Sequence, residues 1–141
     1  MIRVPKIYRY IIYKLYTWSN KRKTDTPVTN VILTLSFVHS IQLLTLNAIV
    51  SRFFPNLDVF NYFDDYTDKE KEKFVGLFFI LFSALHYFVL YKKEYWDQYI
   101  EEFSHESDSE RKKGTIWVIS YLIGSIVLYF IILWILFGIL R

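Results

Sequence analysis

Residues 28–50, VTNVILTLSFVHSIQLLTLNAIV, form a run of 23 residues without one formally charged side chain. As an α-helix rising about 1.5 Å per residue, the run spans about 35 Å, enough to cross the ~30 Å hydrocarbon core of a bilayer. Thr26 and Pro27 stand before it as an N-cap and a first-turn proline. Pro55 follows soon after Arg52 and ends it. Two further uncharged runs occur, 18 residues at 74–91 and 26 residues at 115–140. None of the three alternates apolar and polar residues as a barrel strand does, and only helices or closed barrels satisfy their backbone groups in lipid. The expectation is an all-α membrane protein with three transmembrane helices, at about 28–50, 74–91 and 115–140.

The rest of the composition follows from that partition. The chain has 141 residues, 53% of them hydrophobic, yet its mean hydropathy is only +0.21. All 17 Lys/Arg and all 14 Asp/Glu lie outside the three runs, so a modest average conceals a sharp division between lipid and water. The length suits one membrane domain. It divides into a basic N-terminal segment (1–25), a first span (26–52), an outer loop (53–67), a second helix with a cytoplasmic extension (68–106) and a third helix (107–141). The absence of Cys excludes thiol catalysis, Cys-ligated zinc and iron–sulfur clusters.

Charge placement predicts the orientation. With the N-terminus inside, the cytoplasmic segments carry twelve Lys/Arg, seven of them between Arg3 and Lys23 and five more at Lys92, Lys93, Arg111, Lys112 and Lys113. The opposite side carries five: Arg52, Lys69, Lys71, Lys73 and Arg141. The positive-inside rule then predicts an N-in, C-out orientation. The basic N-terminal cluster predicts contact with anionic lipid headgroups and not with nucleic acid. On a helical wheel Val4, Ile7, Tyr8, Ile11, Ile12, Leu15 and Trp18 share one arc, with Arg3, Lys6, Arg9 and Lys14 on the other side. That pattern fits an amphipathic helix at the bilayer interface, with docking onto the cytoplasmic hairpin as the alternative.

Capping boxes at Thr67–Glu70 and Ser107–Glu110 place the second and third helix starts outside the bilayer. Between them the second helix is expected to run from Asp68 to about Ser104, carrying a stripe of Tyr91, Tyr95, Trp96, Tyr99, Ile100 and Phe103 on one face. Residues 92–113 read as a hairpin tip projecting from the membrane. Its stripe (Tyr91, Tyr95, Trp96, Tyr99, Phe103) is either a partner surface or packing against the N-terminal segment. Glu101, Glu102, His105, Glu106 and Asp108 read as a solvated, charged helix end rather than a divalent-ion site.

Polar residues inside the spans mark the candidate site, because in hydrocarbon they need partners. Ser36, His39, Ser40 and Asn47 share a face of the first span, and Ser83 and His86 share one of the second. Ser120, Gly124 and Gly138 line up in the third as a small-residue packing face. His39 and His86 could meet between antiparallel helices, which admits haem ligation, a proton path or a neutral structural pair. No H-E-x-x-H, G-x-S-x-G, Walker A or G-x-G-x-x-G motif occurs. The expectation is therefore a non-enzyme with no cofactor.

Residues 91–134, YKKEYWDQYIEEFSHESDSERKKGTIWVISYLIGSIVLYFIILW, resemble in composition and layout the C-terminal half of many small uncharacterised multi-span inner-membrane proteins of low-GC Bacteroidota. The resemblance implies a bacterial inner-membrane setting and supplies no activity or site. The functional expectation is a non-enzymatic subunit or interaction protein of a membrane assembly, partnered by another membrane protein or by its own copies. The competing expectation is a small oligomeric ion or proton channel or a membrane-permeabilising effector, with a haem-binding redox subunit third.

Overall fold

The computed structural model describes residues 4–22, 26–63 and 65–138, and every regular element among them is helical. In chain order these are α1 (Lys6–Lys21), α2 (Pro27–Phe53), two 3-10 turns (Pro55–Leu57 and Val59–Phe63), α3 (Asp68–Leu90), α4 (Lys93–Phe103) and α5 (Asp108–Phe137). Helices α2, α3 and α5 are each long and apolar enough to cross a membrane. Their starts are set by local chemistry. The Glu70 carboxylate accepts the Thr67 N–H at 2.8 Å. At α5 the box is reciprocal: Glu110 accepts the Ser107 N–H at 2.8 Å, and Ser107 Oγ accepts the Glu110 N–H at 3.3 Å. Thr26 precedes α2, but its side chain makes no capping bond.

Helix α2 is the axis of the fold. Helices α3 and α5 both pack on it and hardly touch each other. In the spanning stretch of α2, 39% of residues are buried, against 6% in those of α3 and α5. The first helix runs back along the first half of α2. Asn30 Nδ2 donates to Ser19 Oγ at 2.9 Å near the start of α2, and the Tyr8 hydroxyl reaches His39 at its middle. Four helices then share one core: Ile11, Ile12 and Leu15 of α1, Val31, Ile32 and Leu35 of α2, Trp96 and Tyr99 of α4, and Val118 of α5. The apolar arc of α1 is thus spent largely on protein, although Ile7 stays exposed.

The second helix does not continue to Ser104 as its periodicity predicts. It ends at Leu90, Tyr91 and Lys92 are extended (ψ 114° and 119°), and α4 starts at Lys93. No Gly or Pro marks the break. The break lets α4 fold back along α1 instead of projecting. Trp96 is buried there with its indole N–H donating to the Leu90 carbonyl at 2.8 Å, one of the acceptors freed by the helix end. The ring meets Tyr16 and Tyr91 edge-on, at 6.1 and 5.2 Å between centroids. The aromatic stripe is therefore mostly an internal surface: Trp96 and Tyr99 are buried, and Tyr91, Tyr95 and Phe103 are half-buried. Of the two readings of the stripe, its burial supports packing against the N-terminal segment.

A buried ion pair fastens α1 to the turn between α4 and α5. The Lys14 and Glu106 side chains are 3% and 8% exposed, and Lys14 Nζ donates to Glu106 Oε1. Glu106 also accepts the Tyr10 hydroxyl at 2.8 Å and the Tyr13 hydroxyl at 3.2 Å. Lys14 donates again to the Arg111 carbonyl at 3.3 Å. Glu106, read from sequence as part of a solvated helix end, is thus the centre of the cluster. Lys14, assigned to the polar side of α1, is inside. Burial alone pushes the Glu106 carboxyl up, but the hydrogen bonds from Lys14, Tyr10 and Tyr13 outweigh it and hold it below its ordinary value of 4.5.

Gly114 completes this joint. A Cβ there would lie 1.7 Å from the Tyr10 hydroxyl and 2.5 Å from its ring, so only glycine lets Tyr10 pass to Glu106.

Three outcomes follow for stability. Glu106→Ala leaves the Lys14 ammonium buried and unpaired and costs about 3–5 kcal/mol, whereas Lys14→Met with Glu106→Leu restores most of the loss. Thermal unfolding of the purified protein reads both, and equal melting points for Glu106→Ala and wild type would refute the clamp. Because the folded Glu106 value is depressed, its contribution is complete above about pH 4.5 and is lost as pH falls through the lower folded value. Gly114→Ala displaces Tyr10 at a cost of about 1–3 kcal/mol, and Tyr10→Phe should cost less because it removes one hydroxyl without displacing the ring.

Candidate functional site

The intramembrane polar residues do not form one continuous face. They divide into three groups, each serving a different neighbour of α2. At its far end Asn47 holds the following loop, with Nδ2 donating to Asp58 at 3.1 Å and Oδ1 accepting the Val59 N–H at 3.3 Å. Toward α5, Gln42 Nε2 donates to the Tyr121 hydroxyl and to Ser125 Oγ, both at 3.1 Å. Toward α3, His39 Nδ1 lies 2.7 Å from His86 Nε2.

The histidine pair belongs to a longer chain. The Tyr8 hydroxyl is 2.9 Å from His39 Nε2, and His86 Nδ1 is 2.9 Å from the Phe82 carbonyl. One end dictates the direction of the rest. A carbonyl only accepts, so His86 Nδ1 carries a proton and, in a neutral ring, His86 Nε2 accepts. His39 Nδ1 must then donate, and His39 Nε2 accepts from Tyr8. Burial, reinforced by nearby Tyr121, raises the Tyr8 phenol above its ordinary range and keeps it a donor. With both rings neutral, every polar atom in the chain is matched. The rings also stack, with centroids 5.7 Å apart for Tyr8–His39 and 4.9 Å for His39–His86, and Phe82 meets His86 edge-on at 4.4 Å.

This geometry limits the chemistry. All four imidazole nitrogens are engaged, so ligation of haem iron would require the pair to separate. The chain ends on the Phe82 backbone carbonyl. Ser36, Ser40 and Ser83 have buried hydroxyls that bond to no protein group. Neither histidine is therefore positioned as a base for a serine nucleophile. Among the described residues no cluster of His, Asp and Glu could hold a metal ion.

The small-residue face of the third span is not an internal packing face. Ser120 is exposed, and a Cβ at Gly124 would meet nothing within 4 Å. Gly138 has a different role from the one its alignment suggested: at φ 60° it takes the left-handed conformation that closes α5, its N–H bonding the Trp134 carbonyl at 3.0 Å.

Sequence reasoning missed Tyr8, because its role depends on how α1 docks. It also missed Gln42, although an amide in the middle of an apolar span had to find partners. Comparison with protein families, characterised proteins and solved structures finds no match to this chain.

The chain of donors is open to direct measurement. Imidazole nitrogen NMR at neutral pH should show both His39 and His86 protonated on Nδ1, and an Nε2–H tautomer on either ring would disprove the assigned direction. Tyr8→Phe strands an acceptor and should cost about 1–3 kcal/mol.

Proposed function

We propose that this chain is a non-enzymatic subunit or interaction protein of a membrane assembly. It is embedded in a bacterial inner membrane with its N-terminus inside and its C-terminus outside. The observation that supports this reading most directly is the arrangement of α3 and α5 on α2. Because the two outer helices pack on α2 and barely on each other, their remaining faces stay open along the whole span. On α5 that face includes the small residues Ser120 and Gly124, both exposed, which favour close approach of a second helix. His39, His86 and Gln42 are engaged in bonds between the helices, which supports a scaffold role.

Mild-detergent purification tests the reading. The wild-type protein should migrate with a partner subunit or as an oligomer, and Ser120→Leu with Gly124→Leu should release a folded monomer. A wild-type monomer with no companion would overturn it. Orientation can be tested in the same cysteine-free background, where His105→Cys should label from the cytoplasmic side and Asp65→Cys from the opposite side.

The second reading, an ion or proton path, draws support from the three unbonded serine hydroxyls near the histidine pair. Proton flux in liposomes that disappears in His39→Ala would favour it over the scaffold.

A further inference from the structure

An open groove of about 900 Å³ lies where the C-terminal end of α1 meets the start of α2 and the stretch of α5 around Thr115 and Ile119. The inference drawn from it rests on the reading that the uncharged segments of α2 and α5 enter the bilayer here. The groove is graded along the two spanning helices. Lys21 and Arg22 stand at the α1 end, both exposed. Asn30 and Thr115 follow in the first turns of the uncharged segments, and Thr34 about one turn deeper. Leu33 and Ile119 line it at that depth and are 41% and 42% exposed. The order is cation, then amide and hydroxyl, then hydrocarbon.

Among the described residues this charge has no carboxylate partner. Arg9 and Lys14 on the same helix are paired with Glu102 and Glu106, whereas no carboxylate among the described residues lies within ion-pair distance of Lys21 or Arg22. The start of α2 adds to the positive potential. It has no side-chain cap and no acidic residue in its first turn, unlike α3 and α5. Trp18 also lines the groove, an indole suited to headgroup depth.

We infer that the groove seats one anionic phospholipid. Its phosphate lies between Lys21 and Arg22, its glycerol esters lie level with Asn30, Thr34 and Thr115, and one acyl chain runs along Leu33 and Ile119. A soluble anion would use only the first part of this gradient. A neutral lipid would leave both cations without a counter-charge. The groove is bounded by α1, so an occupying lipid also braces α1 against the two spans.

The full chain in mixed phosphatidylcholine–phosphatidylglycerol nanodiscs provides the test, with native mass spectrometry of retained lipid as the readout. The wild-type protein should keep one phosphatidylglycerol in preference to phosphatidylcholine by about twenty-five-fold, the value expected for two cations at about a factor of five each. Lys21→Gln with Arg22→Gln should abolish the preference. Ile119→Trp, which fills the apolar end and leaves both cations, should also release the lipid, while Lys69→Gln with Lys71→Gln at the other end of the bundle should retain it. Equal retention of the two lipids overturns the assignment. So does an unaffected Ile119→Trp, which would reveal a diffuse basic patch, and so does displacement by inorganic phosphate, which would reveal an anion pocket without an acyl seat. Alkaline carbonate extraction separates the two levels of the argument. A chain released by carbonate loses both the membrane reading and this site, whereas an inserted chain without lipid preference loses this site alone.

Discussion

The Lys14 ammonium is buried in the protein, and that single charge constrains much of the architecture at this end of the bundle. A cation at 2% residue exposure needs a counter-charge and further acceptors, because its desolvation is not repaid by packing. Glu106 supplies the counter-charge from the turn before α5, and the Arg111 carbonyl supplies a further acceptor. Meeting that requirement fixes α1 against the α4–α5 turn. Once α1 is fixed, its apolar face covers Val31, Ile32 and Leu35, α4 can return across it to bury Trp96, and Tyr8 arrives at His39. The tyrosines at positions 10 and 13 serve the same joint: they complete the Glu106 coordination and place aromatic faces 5.2 and 5.6 Å from the Lys14 ammonium.

Within the spans the organising rule is different. Lipid offers no hydrophobic gain for bringing helices together, so close packing and matched polar groups hold the bundle. The axial helix α2 carries polar connections to both neighbours, His39 to α3 and Gln42 to α5, from residues three apart and about 60° apart around the helix. Both are internal bonds with defined partners. The tyrosine–histidine chain has a single direction set by the Phe82 carbonyl, which suits a positional link between α1, α2 and α3.

The outer surfaces complement this interior. Helices α3 and α5 present mostly apolar side chains outward, as a bilayer or other membrane helices require. Helix α1 packs along the first half of α2 and leaves recesses at its ends, a second one being bounded by Lys6, Tyr10, Lys113 and Trp117. A protein built this way meets its surroundings through lipid-facing helices and cationic recesses at one end. Its polar residues are mainly devoted to holding the shape.

Much of this was legible from the sequence. Three uncharged runs of sufficient length define spanning helices because an unpaired backbone group in hydrocarbon costs several kcal/mol, roughly independent of tertiary detail. The capping boxes at Thr67 and Ser107 are likewise local, each closed within four residues. The meeting of His39 and His86 was foreseeable from their positions on antiparallel helices. The clamp, the break after Leu90, the placement of Tyr8 and the outward turn of Ser120 and Gly124 were not. Each depends on contacts between residues distant in the chain: Lys14 and Glu106 are 92 positions apart, and Gln42 and Ser125 are 83 apart. Periodicity shows that a helix has an apolar face and that a polar group needs a partner, but it does not say which helix the face meets. Only the tertiary structure decides that, because the choice is made by packing and by the pairing of buried charge.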